Sequence, residues 1–191
     1  MLEAVDLRKT YKNFVAVDNV NLYLDPGESV GLLGPNGAGK STTISMISTL
    51  IRPSSGDVRL DGHSVLKDPA RIRRVLGVVP QEIALYEELS AAQNLEFFGR
   101  IYGLRGKQLE KAVHEALELV GLIERGNERI KTYSGGMKRR INIAAALLHN
   151  PKIVIMDEPT VGIDPQSRNH ILETVRLLNR EKGITVLYTS H

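Results

Sequence analysis

Residues 29–47 read SVGLLGPNGAGKSTTISMI, and this stretch limits the folds open to the chain more than any other. A short apolar run stops at a glycine-rich loop, and a helical pattern begins at Lys40. The loop fits G-x-x-x-x-G-K-[ST] through Gly34, Gly39, Lys40 and Ser41, with Pro35, Asn36, Gly37 and Ala38 between the glycines and Thr42 after them. Glycines let successive backbone N–H groups point inward at phosphate oxygens, and the following helix adds its positive end to the same anion. Lys40 supplies a point charge at the β/γ-phosphates, and the Ser41 hydroxyl is a magnesium ligand. The stretch predicts a buried strand, a phosphate-binding turn and a helix, hence an α/β fold.

The chain upstream alternates apolar and polar residues in short pieces, such as Val15 and Val17, then Val20, Leu22 and Leu24. Such period-two patterning predicts antiparallel strands with one covered face. Tyr11 falls in a turn-like KTYKN segment. Downstream, residues 57–60 and then Asp61-Gly62 read as a strand running into a tight turn, and residues 75–79 as a buried strand ending at Pro80-Gln81. In an α/β protein a polar amide at that place lies at the edge where ligands bind.

From residue 82 to about 150 the pattern becomes helical. Ser90 and Gln93 form a capping box, and Leu109, Val113, Ala116, Leu117 and Val120 recur at helical spacing before Gly121. Ile83, Leu85, Tyr86, Phe97, Phe98 and Tyr102 gather apolar and aromatic side chains here; most are expected in a core, with a docking surface as the sharper alternative. The segment TYSGGMKRR follows, with Ser134 as N-cap and Gly135-Gly136 exposing backbone N–H groups at a helix start. A basic first turn conflicts with the helix dipole, and a bound anion would offset that conflict.

Residues 152–158 read KIVIMDE, a run suited to a strand buried on both faces of a parallel sheet. Asp157 and Glu158 end it, and paired carboxylates beside a phosphate loop divide naturally into a magnesium-shell ligand and a base for the attacking water. Asp164-Pro165 caps another helix, and residues 184–189 read as a last strand before Ser190-His191.

Bulk properties narrow the function. A formal charge of +3, spread along the chain, and only 5% aromatic residues give no nucleic-acid footprint. There is no cysteine, so disulfides and thiolate–metal sites are excluded. No apolar run approaches the ~20 residues needed to span a bilayer, so a membrane role would come through a partner chain.

Together these residues resemble the nucleotide-binding domain of ATP-binding cassette (ABC) transporters over nearly the whole chain. Ser134-Gly135-Gly136 placed shortly before IVIMDEPT carries the resemblance, because many NTPase families share the phosphate loop alone. The resemblance implies a P-loop NTPase core with a mainly parallel sheet, an N-terminal antiparallel β subdomain and an inserted helical subdomain. In that reading 1–81 and 151–191 form the catalytic core, and about 82–150 the helical part. It implies ATP and Mg²⁺ as ligands. Tyr11 is similar to the aromatic that stacks on adenine, and Gln81 to the glutamine that touches Mg²⁺ and senses the membrane partner. Ser134, Gly135 and Gly136 resemble the signature that completes the opposite subunit's site, Asp164 the dimer-interface aspartate, and His191 the switch histidine at the γ-phosphate. Partners implied are a second ATP-binding subunit, as a homodimer, and a transmembrane permease subunit at the cytoplasmic face of the cell membrane.

Tyr133 and Met137 replace a leucine and a glutamine common in the family, and with KRR and GIDP they resemble the ABC-2-type exporter ATPases. Family domains continue past the switch histidine, so a truncated C-terminus with reduced hydrolysis is expected. Two other readings stay open: a soluble non-transport ABC ATPase, and an ATP-binding module with little hydrolysis.

Overall fold

The structure is a computed structural model describing residues 1–190; His191, the expected switch histidine, lies outside the described residues. Two long strands, β1 (Leu2–Tyr11) and β2 (Phe14–Leu24), form a hairpin, with Lys12 in the left-handed region at its turn. Tyr11 is therefore the last strand residue rather than part of the turn. Strands β4 (Ser55–Leu60) and β5 (His63–Ser64) complete an antiparallel sheet in the order β2-β1-β4-β5.

The second sheet is parallel. It contains β3 (Ser29–Leu33), β6 (Leu76–Val79), β7 (Ile153–Met156) and β8 (Thr185–Ser190), in the order β3-β8-β7-β6. Ser190 pairs with Leu33, Tyr188 with Met156, and Met156 with Val79. The carboxyl ends of all four strands thus share one edge, where ligands bind in open α/β sheets. The loops after β3, β6 and β7 all start there, which is why residues far apart in sequence meet.

Helix α1 (Lys40–Ile47) follows the glycine loop and a short α2 (Pro69–Arg73) precedes β6. Helices α3 (Ala91–Ile101), α4 (Gly106–Leu119) and α5 (Gly135–Leu147) occupy the region between β6 and β7, and α6 (Pro165–Arg180) leads to β8. Among the described residues no helix is long and apolar enough to cross a membrane.

Helix α5 belongs to two cores. Ile141, Ala144, Ala145 and Leu148 beyond its end pack with Leu95, Leu109 and Val113 of α3 and α4. Ile143, Ala146 and Leu147 pack on Val154 and Met156 of β7 and on Ile171 of α6. The helix that opens at the SGG turn therefore ties the helical layer to the parallel sheet.

The Ser90–Gln93 capping box forms as the sequence implies: Ser90 Oγ accepts from the Gln93 N–H, and the Gln93 side chain accepts from the Ser90 N–H. Ser90→Ala is expected to lower stability by ~1 kcal/mol, measured by urea unfolding of the full-length chain. The aromatic cluster differs from expectation. Ile83, Tyr86, Phe97 and Tyr102 are 39–51% exposed, so most of the group is surface, not core. Ala91 and Leu95 already fill the inward face of α3, which turns Phe97 outward, where its ring meets Tyr86 edge-on at 5.0 Å. Only Leu85 and Phe98 pack against the helical core.

Candidate nucleotide site and signature turn

The phosphate loop closes because Gly39 adopts a left-handed conformation, φ 85°, immediately before α1. A Cβ there would lie 2.5 Å from the Ala16 carbonyl of β2, so both backbone angle and space demand glycine. Lys40 is buried, and its ammonium donates to the Gly34 and Pro35 carbonyls at 2.6 and 3.0 Å. These bonds satisfy a charge that burial would otherwise make costly. A cavity of about 270 Å³ opens over this loop, lined by residues 36–42 together with Gln81, Glu158 and, from β2, Phe14 and Ala16.

Glu158 is the carboxylate of that cavity. It is 6% exposed, with Oε1 3.8 Å from Lys40 Nζ and Oε2 accepting from Gln81 Nε2 at 2.9 Å. Its backbone is left-handed, φ 46°, a conformation that costs energy for a residue with a side chain and that concentrates at functional sites. Asp157 points elsewhere. Its Oδ1 accepts from Thr189 Oγ1 at 2.7 Å, and the same hydroxyl accepts from the Glu158 N–H at 2.8 Å. Strand β8 lies between β3 and β7, so Thr189 fastens both carboxylate residues from the neighbouring strand. Sequence reading missed Thr189, since its partners are 31 and 32 residues away.

The candidate site residues lie in two places. The phosphate loop, Gln81 and Glu158 line one cavity, whereas Ser134 and Asp164 line another, of about 540 Å³, and the two share no lining residue. Ser134 caps α5 by accepting from the Met137 N–H at 3.2 Å. Asp164 caps α6 by accepting from the Ser167 N–H at 2.9 Å, a bond that holds its carboxyl below the usual range. Gly136 packs directly on Ser167, so the two helix starts form one unit. Tyr11 stands across the hairpin turn from Phe14, about half exposed, with Lys9 Nζ over its ring at 5.1 Å.

The basic turn of α5 resolves its dipole conflict by sending each cation to an acceptor. Lys138 pairs with Glu87, Arg140 donates to the Val120 carbonyl, and Arg139 turns inward to backbone carbonyls. Burial draws the Arg139 guanidinium down, with the Asp157 carboxylate opposing. Tyr133 is buried, and its hydroxyl donates to the Arg125 carbonyl at 2.5 Å, so this departure from leucine anchors the SGG turn to the helical core.

The oxygen donors of Ser41 and Gln81 line the phosphate-loop cavity, a hard-oxygen set of the kind Mg²⁺ takes together with phosphate oxygens. Among the described residues no group of three His, Cys, Asp or Glu could hold a metal by itself. The protein therefore fits an ion that arrives with a nucleotide.

The sequence profile of the ABC transporter family matches residues 17–161. The chain belongs to the ABC transporter family. It is an ATP-binding cassette, 57% identical over 191 residues to the linearmycin resistance ATP-binding protein LnrL of Bacillus subtilis (strain 168), covering 100% of this chain and 61% of LnrL. It is 44% identical over 186 residues to the doxorubicin resistance ATP-binding protein DrrA of Mycobacterium tuberculosis (strain CDC 1551 / Oshkosh), covering 96% of this chain and 56% of DrrA. The chain thus spans less than two thirds of these relatives' lengths. Among solved structures it superposes on the dimeric post-hydrolysis state of the ATP-binding cassette MJ0796 bound to ADP and Pi, with a TM-score of 0.89 and 32% identity. That match covers 100% of this chain and 88% of the other. Both sheets and the helical layer found here are those of an ABC cassette.

Proposed function

We propose that this cassette hydrolyses ATP to power an export transporter, acting as a head-to-tail homodimer on a transmembrane permease subunit at the cytoplasmic face of the membrane. The observation that carries the reading is the Glu158 carboxylate, held in the phosphate-loop cavity between Lys40 and Gln81. In that position Glu158 takes a proton from water as the water oxygen bonds to the γ-phosphorus and the bond to ADP breaks, giving ADP and phosphate. Lys40 and the loop N–H groups from Gly34, Asn36, Gly37, Ala38 and Gly39 hold the phosphates, while Pro35, which has no N–H, fixes the bend of the loop. Thr42 extends that cradle into the first turn of α1. Ser41 and Gln81 would hold Mg²⁺, which supplies charge neutralisation at the β/γ-phosphates, and Asp157, tied to Thr189 outside the cavity lining, would act on that shell from behind. Tyr11, beside Phe14, supplies an aromatic face for adenine.

Two cavities without a shared lining residue support the dimer. One chain offers a phosphate loop without a signature turn beside it, and a signature turn without a phosphate loop. A second copy facing the opposite way brings Ser134, Gly135, Gly136 and Asp164 to the first copy's nucleotide. Phosphate then meets two helix N-termini, which spreads its charge over preorganised donors. Exporter function is supported by similarity to proteins named for resistance to linearmycin and doxorubicin.

The exposed Tyr86, Phe97 and Ile101 on the helical layer suit a membrane subunit's cytoplasmic segment, since aromatic anchors dominate such interfaces. The test is reconstitution of the full-length chain with its membrane subunit in lipid vesicles. ATP hydrolysis stimulated by the subunit is expected, and Tyr86→Asp with Phe97→Asp weakens association at least about tenfold. Undiminished association of that double variant overturns the docking face, and absence of ATP hydrolysis by the reconstituted wild type overturns the ATPase reading.

A further inference from the structure

Arg139 is 2% exposed, and all its hydrogen bonds go to backbone carbonyls of two loops. Nη1 donates to Pro80 O and, at 3.0 Å, to Gln81 O in the loop after β6. Nη2 donates to Asp157 O and Glu158 O at 3.0 and 2.9 Å, and Nε to Pro159 O at 3.0 Å, all in the loop after β7. A guanidinium has five N–H donors in a rigid planar fork, and here five carbonyls receive them. Three successive carbonyls, those of 157, 158 and 159, converge on this one cation where the chain turns at Glu158, φ 46°.

The same two loops meet again through side chains, where Gln81 donates to Glu158 at 2.9 Å. The guanidinium thus closes a ring: backbone 80–81, the Gln81 amide, the Glu158 carboxylate, and backbone 157–159. Its own backbone lies in α5, the helix that begins at the SGG turn. Nothing else in that ring belongs to α5.

We propose that Arg139 is a positioning residue for hydrolysis, which fixes the loops carrying Gln81 and Glu158 to the signature helix so that all three move as one unit. The proposal rests on the reading of Glu158 as the hydrolytic base. A shift of α5 then displaces base and glutamine together, and seating of the signature turn is felt at the carboxylate without a direct contact between the two cavities. Lysine cannot substitute, because a compact ammonium with three donors does not bridge two loops in a planar fork.

Arg139→Lys and Arg139→Gln test this in the full-length protein, with Gln81→Ala as the background for a double-variant cycle. Arg139→Lys is expected to bind ATP with wild-type stoichiometry and KM within about threefold, while kcat falls at least about tenfold, since small misplacements of reacting groups are costly. In the Gln81→Ala background the same substitution is expected to lower kcat by less than about twofold, because the two residues act through one loop. Arg139→Gln is expected to follow the same pattern with a larger fall. A kcat within about twofold of wild type in Arg139→Lys overturns the proposal. So do additive effects with Gln81→Ala, and so does a loss of turnover matched by lost ATP stoichiometry, which marks a purely structural residue. Wild-type turnover that does not depend on Glu158 overturns instead the reading on which the proposal stands.

Discussion

Glu158→Gln is expected to lower ATP turnover about 10²–10⁴-fold while leaving ATP affinity within about threefold. The amide has nearly the shape of the carboxylate, so the contact with Gln81 and the left-handed backbone can persist. What goes is the basic oxygen and the negative charge facing Lys40 at 3.8 Å. Loss of that charge frees Lys40 for phosphate, so binding is kept or strengthened. Single-turnover hydrolysis beside an equilibrium ATP titration separates the two effects. Turnover within about tenfold of wild type would assign the base elsewhere.

Gly136→Ala is expected to lower turnover through geometry alone. A Cβ at residue 136 would lie 2.0 Å from Ser167 Oγ and 2.4 Å from Ser167 Cβ, so α5 and α6 cannot keep their present approach. Overpacking of this kind typically costs about 1–3 kcal/mol, and here it falls at the start of the signature helix. Dimer-dependent turnover is expected to drop at least about tenfold, with ATP affinity of the isolated subunit within about threefold. Affinity is spared because the signature and phosphate-loop cavities share no lining residue. Ser167→Gly in the same chain removes the two nearest obstructing atoms, leaving Asp164 Oδ2 at 3.0 Å, and should restore much of the turnover. Failure of that second substitution to rescue would mean that the loss does not arise from the contact between the helices.

The parts of the site legible in the sequence are those made by local chemistry. A glycine loop before a helix, an aspartate–proline cap, a serine N-cap before two glycines, and two carboxylates at the end of an apolar run each act within a few residues of themselves. The placement of the glycine loop and the two carboxylates at one sheet edge followed from the parallel pattern. What stayed hidden depends on strand order and on which side of a helix faces the sheet. Strand β8 lies between β3 and β7, and so brings Thr189 against Asp157 and Glu158. Nothing in the order of the chain announces that neighbour.

Arg139 was hidden differently. KRR shows three cations in a row, and the sequence does not say that the middle one enters the core while its neighbours reach Glu87 and Val120. The aromatic residues of the helical layer misled for the opposite reason. Their chemistry suggests burial, but alanine and leucine at the inward positions of α3 already complete the packing, and the Phe97 ring meets Tyr86 and Phe98 edge-on instead. Phe14 faces the phosphate loop because the β1–β2 hairpin leans over it, a long-range placement.

The head-to-tail dimer is the central claim, and the mass of full-length Glu158→Gln in solution, with and without ATP, tests it most directly. A shift from monomer to dimer on ATP addition is predicted, abolished when Ser134→Arg places a bulky side chain at the signature turn. A protein that binds ATP and stays monomeric, or a dimer indifferent to Ser134→Arg, would contradict it.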